Sequence, residues 1–214
     1  MRKKESLPVN GICAIISGGE YSPLAEIEKA DYIIACDKGW EYALKEQITP
    51  QLLIGDFDSC EETLPAHIPT IILPKEKDDT DTLAAVRIAL ERGFAEIWLY
   101  CALGGRADHF YANLQTAAWA AENNAAVKIF AADTMIYFIN NRSLIIPYYS
   151  DYVLSVFTIN DKASGVNIKG AQYELDDATL TNTFPLGISN EFIEENPVRI
   201  SVRSGTLMIM CVKV

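Results

Sequence analysis

Half of the 214 residues are apolar and 22% are charged, so the chain has ample core material for one large domain or two small ones and is not disordered. Its formal net charge is -11 at pH 7, and the basic residues cluster nowhere beyond Arg2-Lys3-Lys4. That excludes a nucleic-acid surface, which needs clustered Lys and Arg against the phosphates.

Short β-branched runs alternate with helical spacings through the first part of the chain. Residues 11–16 read as a strand, 23–29 as a short helix, 32–36 as a second strand, 39–45 as a helix and 51–54 as a third strand. Residues 70–73 follow as a strand. The spacing of Leu83, Val86, Ala89 and Leu90 predicts a helix over 80–92, then come a buried strand over 96–102, a helix over 110–123 and a strand over 127–130. Strands alternating with helices imply an α/β fold, a doubly wound, mainly parallel sheet with ligands outside the carboxyl ends of its strands. Beyond residue 132 the pattern changes. Residues 135–139, 152–158, 179–183, 198–202 and 207–214 are strand-like and separated by turns, which predicts an antiparallel β-sandwich or barrel. The predicted organisation is therefore an α/β domain over 1–132 and a β-rich domain over 133–214.

Five cysteines, Cys13, Cys36, Cys60, Cys101 and Cys211, are scattered, odd in number and without C-x-x-C spacing, so they read as reduced residues. No apolar stretch approaches the roughly 18 residues that span a bilayer. The five apolar residues 12–16 are too few for the core of a signal peptide, so a cytoplasmic protein without a membrane partner is expected.

Polar clusters sit where the predicted strands end. Gly55-Asp56-Phe57-Asp58-Ser59 follows the apolar run 52–54 and sets two carboxylates two residues apart. Such a pair suits Mg²⁺, which takes hard oxygen ligands and keeps several waters while bridging substrate phosphates; Asp, Gly and Ser also make ordinary turns. Ser17-Gly18-Gly19 gives either a turn or backbone access to a phosphate. Asp37 either contacts a ligand or caps the helix after it. Lys77-Asp78-Asp79-Thr80-Asp81 opens a helix, where acids and a capping threonine also favour the dipole. Converging carboxylates repel one another, and a cation resolves that repulsion. In Gly104-Gly105-Arg106-Ala107-Asp108-His109 the glycines free the backbone and the arginine suits bidentate phosphate recognition. His109 either bonds a neighbour or does acid–base work, and His67 lies in a Pro-bounded loop without a role.

In this order and spacing the clusters resemble the thiamine pyrophosphokinase family, and Gly187-Ile188-Ser189-Asn190-Glu191-Phe192 resembles the S-N-E signature of its thiamine-binding domain. The resemblance implies a thiamine diphosphokinase that moves the terminal pyrophosphoryl unit of ATP to the thiamine hydroxyl, with Mg²⁺, giving thiamine diphosphate and AMP. It implies a homodimer whose sites lie between the α/β domain of one subunit and the β domain of the other. By motif position Asp56, Asp58 and Asp81 become metal ligands and catalytic residues, supported by Asp78 and Thr80. Gly18, Gly19, Asp37, Arg106 and Asp108 serve the nucleotide, Ser189 and Asn190 the thiamine rings, and Phe192 stacks on them. Lys38 and Trp40 depart from the family's glycine and small residue. Two alternatives remain: a haloacid-dehalogenase-like phosphatase with Asp56 as nucleophile, and a thiamine or nucleotide sensor without turnover.

Overall fold

The computed structural model describes residues 11–58, 60, 62–74, 76 and 78–214; Ser59, Lys77 and the Arg2-Lys3-Lys4 run lie outside the described residues. The chain divides into two compact units, one of Met1–Thr116 with Ile129–Ala132 and the other of Ala117–Lys128 with Asp133–Val214.

In the first unit, β1 (Ile12–Ile16), β2 (Tyr32–Cys36), β3 (Leu52–Gly55), β4 (Thr70–Ile72) and β5 (Glu96–Tyr100) form a sheet in the order β5-β1-β2-β3-β4. Every pairing in that series is parallel, with Ala14 of β1 opposite Ile33 on one side and Trp98 on the other. Residues 13 to 16 are wholly buried, as expected for a central strand covered on both faces. The connecting helices are α1 (Gly39–Lys45) and α2 (Asp81–Glu91), with α3 (Ala107–Glu122) between β5 and β6 (Ala126–Phe130). The predicted helix over 23–29 reduces to one 3-10 turn, Ile27–Lys29. Its N-cap, Glu26, is left-handed at φ 65° and its side chain accepts no capping N–H, so nothing propagates the helix backwards from there.

The second unit is built from antiparallel strands. One sheet runs β12 (Gly187–Glu191), β9 (Tyr152–Thr158), β14 (Thr206–Lys213), β7 (Thr134–Asn140), and the other β11 (Leu175–Thr181), β10 (Lys162–Lys169), β13 (Val198–Ser201), β8 (Ser143–Ile146). Leu207, Ile209 and Cys211, two residues apart on β14, join Leu154 and Val156 in one core with Val166, Ile168, Val198 and Ile200 of the other sheet. A core shared by two sheet faces makes this unit a β-sandwich. Strands β8, β10 and β12 are additions to the sequence-based expectation, while the remaining strands match it to within a few residues.

Candidate active site

An open cleft of about 1000 Å³ lies within the first unit, beyond the carboxyl ends of its parallel strands. The chain after β1 supplies Gly18, Gly19, Glu20 and Tyr21, and the end of β2 supplies Cys36, Asp37 and Lys38. Asp56 and Asp58 follow β3. Asp78, Asp79 and Thr80 precede α2, whose first residues Asp81 and Thr82 also face the cleft. Gly104, Gly105 and Arg106 come from the loop after β5, and His109 and Asn113 from α3. The four strand-end clusters singled out in the sequence therefore meet in one place, as the carboxyl-end rule for parallel sheets requires.

Local chemistry explains how each group is held. Asp56 accepts the backbone N–H of Asp58 at 3.1 Å across a turn in which Phe57 is left-handed, φ 53°, so both carboxylates project from one tight bend. Thr80 caps α2 by accepting the Leu83 N–H at 3.1 Å, which fixes Asp81 in the first turn. Asp79 pairs instead with Arg87 of α2 at 3.1 Å. Gly19 is required by close approach: a Cβ there would stand 2.5 Å from the Cys101 carbonyl oxygen and 2.9 Å from that of Leu103. Asp37 is left-handed at φ 48°, a conformation Asp tolerates better than most residues, and the position that caps α1 is Lys38.

Arg106 and Asp108 form a two-pronged exposed pair, 3.1 Å and 2.6 Å, which holds the Asp108 carboxyl below its ordinary value. Arg106 lines the cleft; Asp108 touches it only through that pair. Trp40 is buried in the core with Ile16, Ala35 and Leu53, so of the two unusual residues only Lys38 reaches the cleft.

Sequence reasoning passed over Glu20, Tyr21, Tyr42, Thr82 and Asn113. Tyr42 donates to the Gly19 carbonyl at 2.8 Å, Thr82 to the Ser17 hydroxyl at 3.0 Å, and Asn113 to the Ala102 carbonyl at 2.7 Å. Helical spacing carried the signal for two of them, since Tyr42 and Asn113 sit four residues beyond Lys38 and His109.

The Ser189, Asn190 and Phe192 cluster belongs to the second unit. Asn190 is 5% exposed and its amide is committed to backbone: Oδ1 accepts from Tyr173 and Glu191, and Nδ2 donates to the Tyr173 carbonyl. Ser189, left-handed at φ 54°, is exposed, with its N–H on the Ser155 hydroxyl at 3.1 Å. Phe192 is half-buried, edge-on to Tyr149 and Tyr148 with centroids 6.0 Å and 6.3 Å away. Among the described residues no three His, Cys, Asp or Glu side chains converge into a ready metal cage.

Two family models cover most of the chain. The thiamin pyrophosphokinase catalytic domain matches residues 24–129 and the thiamin pyrophosphokinase vitamin B1 binding domain matches residues 143–207. The chain belongs to the thiamin pyrophosphokinase family. The thiamine pyrophosphokinase of Bacillus subtilis (strain 168) is 28% identical over 206 residues, 92% of this chain and 96% of that protein. A crystal structure of thiamine pyrophosphokinase from Bacillus subtilis superposes with a TM-score of 0.84 at 25% identity, covering 94% of this chain and 99% of that one. A thiamin pyrophosphokinase family protein from Enterococcus faecalis gives 0.76 at 26% identity, over 96% and 100%. The expected enzyme class, thiamine diphosphokinase, and the mixed α/β and β architecture stand with the thiamin pyrophosphokinase family, and the phosphatase alternative falls.

Proposed function

We propose that the chain transfers a pyrophosphoryl group from ATP to the hydroxyl of thiamine with the help of Mg²⁺, releasing AMP. The observation that carries this reading is the convergence of Asp56, Asp58, Asp81, Arg106 and the Gly18-Gly19 turn in one strand-end cleft, within the stretch that matches the family's catalytic domain. The α/β region, 1–132, is the nucleotide and metal domain in this reading, and the β-rich region, 133–214, the thiamine domain.

The donor set fits Mg²⁺. It consists of carboxylates, and a cation that keeps waters and leans on substrate phosphates needs only one or two of them rather than a closed cage. Asp56, Asp58 and Asp81 would hold the ion, with Asp78 and Thr80 supporting them, and the bound ion would neutralise phosphate charge. In the reaction the thiamine oxygen forms a bond to the β-phosphorus, the bond from that phosphorus to the oxygen bridging it to the α-phosphate breaks, and AMP leaves with that oxygen. The hydroxyl proton passes to a carboxylate of the cleft. Such transfer rests on alignment and charge neutralisation rather than on a protein nucleophile. Arg106 and the Gly18 backbone align the phosphates, Asp37 serves the nucleotide beside them, and Gly19, whose N–H is held by the Cys101 carbonyl at 2.8 Å, shapes the turn. Asp108 sets the direction of Arg106.

Thiamine is cationic. Phe192 offers it a ring face worth about 0.5–2 kcal/mol, and Asn190, next to Ser189 in sequence, fixes the backbone of Tyr173 and Glu191. Exposed Tyr173, Phe184, Leu186, Ile188 and Ile193 gather along and beside the sheet-edge strand β12, which supports a homodimer in which a second copy covers them and completes the site. Five free thiols fit a cytoplasmic setting.

Phosphorus NMR of the protein with ATP, Mg²⁺ and thiamine tests the reaction. Equal formation of AMP and thiamine diphosphate, stopped by EDTA and restored by excess Mg²⁺, is expected. ADP or free phosphate in their place would overturn the proposal, and binding without turnover would favour a sensor.

A further inference from the structure

We propose that Lys38 is a substrate-binding residue, whose ammonium contacts the polyphosphate of the nucleotide from the wall of the cleft formed by the Gly18-Gly19 turn. The inference rests on the ATP-dependent reading above and adds a contact to it.

The starting point is charge. Seven carboxylate side chains line the cleft, on Glu20, Asp37, Asp56, Asp58 and the three aspartates around Thr80, against two cationic ones, Lys38 and Arg106. One divalent ion leaves a nucleoside triphosphate still anionic, so the phosphates need further positive charge in this acidic setting. Arg106 already holds Asp108 through two hydrogen bonds. Lys38 is exposed, and among the described residues no carboxylate lies within 4.0 Å of its ammonium. The Tyr42 side chain is its neighbour, and no described carboxylate pairs with its charge.

Its placement agrees. The ammonium lies 5.9 Å from the centre of the Tyr42 ring, and Tyr42 hydrogen-bonds the Gly19 carbonyl. A Cβ on Gly18 would stand 3.5 Å from the Lys38 Cβ, so the lysine stem and the glycine turn are adjacent parts of one surface. A point charge on a flexible stem beside exposed backbone is a common way to bind phosphate.

Calorimetric titration of the full chain with inorganic tripolyphosphate in Mg²⁺, and separately with adenosine, tests the assignment on wild type, Lys38→Met and Lys38→Arg. Lys38→Met weakens tripolyphosphate at least about tenfold, leaves adenosine binding, the thiamine KM and the melting temperature unchanged, and Lys38→Arg recovers affinity to within about threefold of wild type. Equal tripolyphosphate affinity in Lys38→Met and wild type would overturn the Lys38 contact alone. So would a Lys38→Arg protein as weak as Lys38→Met, or a Lys38→Met protein that loses adenosine and thiamine as well, since either makes Lys38 a structural prop. A wild-type protein that takes up no tripolyphosphate would overturn the ATP-dependent reading itself, and Lys38 with it.

Discussion

Thr82 donates its hydroxyl hydrogen to the Ser17 Oγ across 3.0 Å, and the two residues are only 6% and 1% exposed. The bond joins the first turn of α2, which carries Asp81, to the end of β1, which leads into Gly18-Gly19. Thr82→Val keeps the shape and leaves the buried serine without its donor, so it lowers unfolding stability by about 1–2 kcal/mol. Because Asp81 shifts with its helix, the KM for ATP rises more than the KM for thiamine. Urea denaturation and steady-state kinetics of Thr82→Val and Thr82→Ser, which retains the hydroxyl, check both effects.

Asp56→Asn keeps the bond to the Asp58 N–H, since the amide oxygen still accepts, and removes one negative charge from the cleft. Activity with ATP and thiamine therefore falls by about 100-fold or more, as loss of a group that stabilises the transferring phosphoryl does, while the melting temperature holds. Normal turnover by this variant would refute the metal assignment of Asp56.

If two copies share their sites as proposed, an Asp56→Asn subunit paired with an Asn190→Ala subunit recovers part of the activity that either variant alone lacks, because one of the two sites is then intact; no recovery in confirmed mixed dimers would overturn the shared site. Tandem-tagged heterodimers purified through both tags make the measurement. Asn190→Ala also breaks three hydrogen bonds to the backbone of Tyr173 and Glu191 and destabilises the sandwich by about 1–3 kcal/mol, so its melting curve is recorded alongside.

Asp108 titrates below its ordinary value of 3.8, chiefly because Arg106 hydrogen-bonds the ionised form. A depressed carboxyl favours the paired state above the ordinary value and loses that preference as pH falls through the lowered one. Carboxyl carbon NMR shows the Asp108 midpoint returning towards 3.8 in Arg106→Ala.

Burial raises the Cys13 and Cys211 thiols to about 12, so both are protonated and unreactive at pH 8. Cys60 alone of the five is partly exposed. Ellman's reagent titrates one thiol in the folded protein and five in guanidinium, and rapid reaction of three or more in the folded state would contradict this core.

Much of this was legible in the sequence because the parallel strands are apolar runs with polar residues at their ends, and topology brings those ends together. Asp56, Asp58 and Asp81 follow from that rule, as do β1, β2 and β3. Strands β10 and β12 escaped because each breaks the two-residue alternation: β10 shifts register around left-handed Gly165, and β12 between Gly187 and Asn190 around left-handed Ser189. Tyr42 and Asn113 escaped because each lies on a helix, a turn beyond the residues that drew attention. The commitment of Asn190 to the Tyr173 backbone depends on a fold contact 17 residues away, which no local pattern reports.

The crowding at Gly19 restricts how this cleft can diversify. Gly19 donates its N–H to the Cys101 carbonyl at 2.8 Å on the same side where a methyl group would collide, so any substitution drives apart the chain after β1 and the chain after β5. Its neighbour Gly18 has ordinary contact distances around the same missing atom. Mutational drift and directed evolution are therefore closed at position 19 and open at position 18, so a library seeking altered nucleotide preference gains by randomising Gly18 and leaving Gly19 alone.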